Sequence, residues 1–172
     1  MSSFEEMAAQ LVEVQQRLAD VESVLAIQSL KARYGALVDE RFVKGAVIDA
    51  VALARVADDI AALFTEDGVW DGGPGLGQAI GRAEIAVRLR QPTLVFSRHF
   101  FLNPRIDVEA DVARARWDLL SPCRRPDGTS YWMSGYEDDV YARVGGQWLH
   151  RSMTLTTVFM SQVGEGWDAI FR

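Results

Sequence analysis

Residues 129–160 read TSYWMSGYEDDVYARVGGQWLHRSMTLTTVFM. Two runs rich in Val, Trp, Tyr, Phe and Thr flank Gly145-Gly146, a pair suited to turning one strand back on the next. The same texture extends upstream. Residues 94–108 and 111–122 share it, and the four runs are parted by Glu109-Ala110-Asp111, Pro126-Asp127-Gly128 and Gly145-Gly146. This predicts four strands in meander order. Before Pro92 the patterns are helical, and helices followed by antiparallel strands define an α+β chain with helices on one face of a curved sheet. A bent sheet folded over helices leaves a pocket at its open end, a place for a small ligand.

The helical half opens with a long repeat. Phe4, Met7, Leu11, Val14, Leu18, Val21 and Leu25 alternate at three and four residues, predicting one helix over 4–35. Such a narrow seam suits either another helix or the chain's own domain. Residues 1–22 are assigned as a helical arm for oligomer contact, and 23–172 as a single domain. Ile27, Leu30, Tyr34, Leu37 and Val38 form a wider, core-facing stripe that runs into Asp39. Asp39 is either a partly buried carboxylate needing a partner or a solvated helix end. Residues 44–57 read as a short helix or covering loop, with Asp58 or Asp59 capping a further helix from Ile60 to Phe64. Val69-Trp70-Asp71 starts a strand, residues 72–77 make a glycine-rich turn, and Arg82 to Arg90 is a helix stopped near Pro92. The turn lacks the glycine spacing of a dinucleotide fingerprint.

The bulk numbers exclude several classes. The chain has 172 residues, is 49% hydrophobic and carries a net charge of −6, an ordinary balance for one domain with a full core. Its basic residues are scattered, so no nucleic-acid footprint is present. It has no apolar run long enough for a membrane span and no basic leader before an apolar segment. Cys123 is alone, so no intramolecular disulfide forms, and a cytoplasmic location is the default expectation.

Few residues can carry chemistry. His99 and His150 are the two histidines, without the close Cys or carboxylate spacing of a zinc site, so no metal is expected. Glu137-Asp138-Asp139 reads as a solvated charge run. His99 lies in the stretch Ser-Arg-His-Phe-Phe-Leu-Asn-Pro, residues 97–104. It is either a core histidine or a general base oriented by a carboxylate, for which Asp39 is the candidate. Strand alternation puts Asn103 on the face of His99. Arg116 and Asp118 share a face one residue either side of Trp117, and Arg151 is placed to meet an anionic or oxygenated ligand.

Taken together, Tyr34-x4-Asp39, the run Leu-Phe-Thr-Glu-Asp-Gly-Val-Trp over 63–70, His99-x3-Asn103 and the closing Trp148 strand carry a resemblance. Over about residues 20–160 the chain resembles the SnoaL-like family of the nuclear transport factor 2-like superfamily. It is most similar to the branch of scytalone dehydratase, bile acid 7α-dehydratase and hexachlorocyclohexane dehydrochlorinase. The resemblance implies a cone-shaped, cystatin-like α+β fold with a deep apolar pocket, an Asp–His dyad, no cofactor and a homo-oligomer, a trimer before a dimer. Asp39 falls at the dyad acid, His99 at the base and Tyr34 at a polar position beside them; Arg151 falls near a pocket arginine. Segment 40–57 and the heptad arm depart from the family pattern.

The expected function is a cofactor-independent lyase, a dehydratase or a related retro-aldol cleavage. Trp70, Trp132 and Tyr136 point to an aromatic or polycyclic small-molecule substrate. The alternatives are an isomerase, a cyclase or an epoxide hydrolase in the same pocket, and a non-catalytic binding or assembly subunit. The epoxide hydrolase reading uses Arg116 and Asp118, with His150 in the region of the second acid.

Overall fold

The structure is a computed structural model that describes residues 2–164. The domain boundary drawn to Arg172 therefore takes in residues 165–172, which lie outside the described residues, as does Met1 of the arm.

One helix, α1 (Ser2–Glu40), spans the whole heptad pattern and the core-facing stripe. A small hairpin follows, β1 (Phe42–Val43) with β2 (Ala46–Val47). Helix α2 (Ala50–Ala61) begins well before the expected start at Asp58 or Asp59. Asp49 is its cap: its carboxylate accepts from the Val51 and Ala52 N–H groups at 3.0 Å each. The helical period already starts at Leu53 and continues through Val56, Ala57 and Ile60, all buried. Asp58 and Asp59 instead sit within the helix and pair with Arg90 and Arg55. Phe64, expected to close a helix, opens strand β3 (Phe64–Asp71).

After the turn come β4 (Gln78–Ile80) and α3 (Arg82–Leu89). The meander is β5 (Phe96–Ser97), β6 (Phe100–Glu109), β7 (Val112–Arg124), β8 (Ser130–Val144) and β9 (Gln147–Gln162). The sheet runs in the order β4-β3-β9-β8-β7, and both β5 and β6 pair with β7. Among the described residues, only β3 with β9 is parallel.

The sheet bends because β8 and β9 slip register twice, at Ser134/Gly135 and at Val140/Tyr141. Glycine is required at the first slip, since a Cβ on Gly135 would lie 2.1 Å from the Thr156 carbonyl oxygen. The curved face folds over α1, α2 and α3. One apolar cluster joins Val38, Ile60, Phe64, Trp70 and Ile85; a second joins Ile27, Trp117, Tyr141 and Trp148. Among the described residues, the first half of α1 contributes to neither cluster, and its large apolar side chains are exposed. No helix among the described residues is long and apolar enough to cross a membrane.

Candidate active site

The concave face of the sheet and the helices enclose a cavity of about 630 Å³. Its walls are apolar where Val38, Trp70, Leu119, Met153 and Leu155 stand, and a few polar groups converge inside.

Asp39, in the last turn of α1, meets His99 at the break between β5 and β6. The register is continuous across that break, yet His99 makes no ladder pair. Its main-chain N–H turns to the Asp39 carboxylate instead, 3.1 Å from Oδ1 and 3.3 Å from Oδ2. Its ring Nδ1 lies 2.8 Å from the same Oδ1. A carboxylate oxygen only accepts, so Nδ1 carries the proton and Nε2 holds the lone pair. His99 lines the cavity and Asp39 stands behind it, so the free nitrogen is on the ligand side. Arg98 Nε, 3.3 Å from Oδ2, completes the carboxylate's shell from the solvent side.

Tyr34 and Trp70 also line the cavity and touch each other: the Trp70 indole N–H donates to the Tyr34 hydroxyl oxygen at 3.0 Å. The phenol's own proton is thereby left to point elsewhere. Burial, with Glu137 adding to it, pushes the Tyr34 pKa well above its ordinary value, so the group is a neutral donor. Ser121, fully buried beside His99 on β7, lines the cavity with a hydroxyl that has no partner. The turn over Gly72–Gly77 closes one end, where Arg88 Nε and Nη2 donate to the Leu76 carbonyl at 2.8 and 2.6 Å.

Four expected ligand contacts lie elsewhere. Asn103 has φ of 47° at a register slip that Pro104 enforces by withholding a ladder N–H. The slip ends the alternation from His99, and Asn103 is exposed, donating to Asp118 Oδ2 at 2.9 Å. Tyr136 faces away from the cavity because its neighbours Glu137 and Gly135 are the inward residues; Arg116 stacks 4.2 Å from its ring. Trp132 is half-exposed in a separate shallow groove with Phe96 and Pro122. Arg151 is the unpaired residue of the second β8–β9 slip and points to solvent.

The acidic run 137–139 is not a solvated face. It splits across the strand: Asp138 is outside, bonded to Arg116 at 2.7 and 2.8 Å, while Glu137 and Asp139 are buried. Both accept from Lys31 of α1, Asp139 Oδ2 at 2.7 Å and Glu137 through Oε2. Tyr141 donates to Asp139 at 2.6 Å and receives the Trp117 indole N–H at 3.1 Å. Burial alone would lower the Lys31 pKa, but Asp139 and Glu137 outweigh it and hold the ammonium above its ordinary value. Burial raises Glu137 despite Lys31. Glu137 also lines the cavity, which makes it a functional candidate that sequence reasoning missed. A signal existed: Lys31 falls in the Ile27–Tyr34–Val38 stripe, where a lysine must bury and find acids.

His150 is a core residue. It is wholly buried between the Phe64, Tyr34 and Tyr141 rings, with centroids 5.0, 5.4 and 4.7 Å away. Burial drops its pKa to about 3. Together with the outward Arg116 and Asp118, this removes the residues on which an epoxide hydrolase site would rest.

A pocketed cone of helices on a curved, mostly antiparallel sheet is the nuclear transport factor 2-like class of α+β protein. An NTF2-like protein with a cystatin-like fold from Novosphingobium aromaticivorans superposes with a TM-score of 0.65 at 23% identity, over 92% of this chain and 95% of that one. The model of the SnoaL-like domain matches residues 19–154, and the chain belongs to that family. Hexachlorocyclohexane dehydrochlorinase LinA-type3 from Novosphingobium barchaimii LL02 is similar at TM-score 0.72 and 19% identity, over 87% of this chain and 96% of that one. A candidate scytalone dehydratase from Novosphingobium aromaticivorans DSM 12444 is similar at 0.68 and 21%, over 86% and 97%. A search of curated protein sequences gives no match.

Proposed function

We propose that the chain is a lyase that eliminates a small leaving group from a cyclic, aromatic or polycyclic substrate, with His99 as general base. The observation that carries this reading is the 2.8 Å contact between Asp39 and His99 Nδ1, which leaves Nε2 toward the cavity. Nε2 takes a proton from carbon next to a carbonyl or aromatic group. The electron pair forms the new double bond, and the leaving group departs with its bonding electrons. Asp39 holds the tautomer and offsets the imidazolium charge; such a base contributes about 10²–10⁴-fold in rate. Tyr34, neutral and fixed by Trp70, donates to the oxygen that leaves or gains charge. Two structural neighbours bear the names of a dehydrochlorinase and a dehydratase, both eliminations of this kind. The redox state of the substrate does not change, so the step needs no electron carrier.

The test is turnover on a panel of β-hydroxy ketones on fused-ring scaffolds and of chlorinated cyclohexanes, with alkene formation followed by mass spectrometry. The wild-type chain should form the alkene from at least one class, and His99→Ala should be at least about a hundredfold slower with its fold intact. Retention of more than about a tenth of the rate in His99→Ala would remove His99 as the base.

A further inference from the structure

The geometry points to an anion-binding subsite in the cavity wall, built on Arg41, that takes a carboxylate carried by the substrate. This names a substrate class for the site proposed above and rests on that reading. Arg41 follows the last turn of α1 and lines the cavity, yet it is only 9% exposed. Its Nε donates to the Val38 carbonyl at 3.0 Å, which fixes the guanidinium. Its two Nη groups have no partner among the described residues. The acids beside it in sequence are taken, Asp39 by His99 and Arg98, and Glu40 by Arg55. Burial pulls the Arg41 pKa below its ordinary value; Tyr34 and Asp39 offset part of the fall, and Arg88 adds to it. An arginine keeps its charge in such a place, and a buried charge calls for a partner.

The imbalance extends round the wall. Arg88 and Arg125 also line the cavity, and no described acid forms an ion pair with either. Arg88 donates to the Leu76 and Gln91 carbonyls, which are neutral, and Arg125 lies over the Tyr131 ring at 4.7 Å. Among the described residues, Glu137 is the one acid in the wall, and Lys31 already bonds it. Three cations without a free acid therefore face this cavity, in a chain whose net charge is −6. The free edge of the Arg41 guanidinium is a planar fork, the match for a carboxylate. Val38 and Phe42 beside it are apolar, with the Phe42 ring 5.2 Å from the guanidinium carbon. Such flanks favour a singly charged planar group over a strongly hydrated dianion.

Calorimetric titration of the full chain with naphthoate and with naphthamide, a neutral mimic of the same shape, tests this. The wild-type chain should bind the acid roughly tenfold or more tightly than the amide. Arg41→Met should bring the two affinities together by weakening the acid alone, and Arg41→Lys should keep part of the preference. The amide reports whether the cavity of each variant is intact. Equal affinity for acid and amide in the wild-type chain, or no binding of the acid, overturns the subsite. So does a preference that Arg41→Met leaves in place. The titration involves no turnover, so His99→Ala should keep the preference. A chain that prefers the acid but eliminates nothing would sink the lyase reading and leave the subsite standing.

Discussion

Asp39 Oδ1 is bonded twice by His99, by the main-chain N–H at 3.1 Å and by the ring Nδ1 at 2.8 Å. The same oxygen therefore shapes the strand break and orients the ring. Geometry and charge can be separated, because an amide oxygen accepts both bonds but carries no charge. Asp39→Asn should keep the thermal midpoint within a few degrees and lower the rate by about 10²-fold or more. Asp39→Ala should do the same to the rate and also cost about 1–3 kcal/mol, since the His99 N–H loses its acceptor. Urea unfolding beside turnover separates the two; equal stability of both variants would refute the double role.

The Lys31 site gives a second prediction. Lys31→Met strands Glu137 and Asp139 without their cation, and it should destabilise the fold by about 3–5 kcal/mol. Adding Glu137→Gln and Asp139→Asn to Lys31→Met should recover much of that loss, as the uncompensated charges are gone. Denaturant midpoints of the single and triple variants decide it; a triple variant no better than the single would show that the loss was packing.

Acid stability follows from His150. Its pKa is about 3 in the fold against an ordinary 6.5, so the unfolded chain binds the extra proton between those values. The contribution is whole above pH 6.5 and lost as the pH falls toward 3, at up to about 1.4 kcal/mol per unit. Glu137, raised by burial, acts in the opposite sense: its contribution is complete below 4.5 and fades as the pH rises. His150→Phe keeps a ring among Phe64, Tyr34 and Tyr141 and should flatten the loss below pH 6.5. An unchanged slope in pH-dependent melting would assign it to other groups.

Removal of the Asp49 cap, in Asp49→Ala, should cost about 1 kcal/mol and leave turnover unchanged, because α2 contributes no polar group to the cavity. A calorimetric midpoint that does not move would place the start of α2 elsewhere.

What could be read from the residues alone was what periodicity controls. The 3–4 alternation of α1 and the glycine-marked turns of the meander are local, and those elements are present, although α1 runs on past residue 35 to Glu40 and the run 94–108 divides into β5 and β6. The start of α2 was missed because Asp58 and Asp59 look like caps, while the true cap, Asp49, sits in a run of small residues. The acidic run 137–139 was misjudged because its neutralising lysine lies more than a hundred positions away. Asn103 and Arg151 were misplaced by single-residue slips, which reverse the facing of everything that follows. Asp39 stood as a candidate partner of His99 from residue chemistry alone, and the family resemblance turned the candidate into an expectation, since nothing local in either segment predicts a contact across sixty residues.

Arg88 ties the turn over residues 72–77 to α3 through a main-chain carbonyl, that of Leu76, and the Gly73 N–H is held by Asp71. A main-chain tether is indifferent to the side chains around it. Pro74 is therefore open to exchange while the loop keeps its course, and it lines the cavity, whereas Leu76 also packs against the core. New substrate shapes are accessible to drift at this rim without a toll on folding, whereas the floor, locked by Lys31 and its two acids, stays fixed. The fold thus confines its evolvability to one short loop.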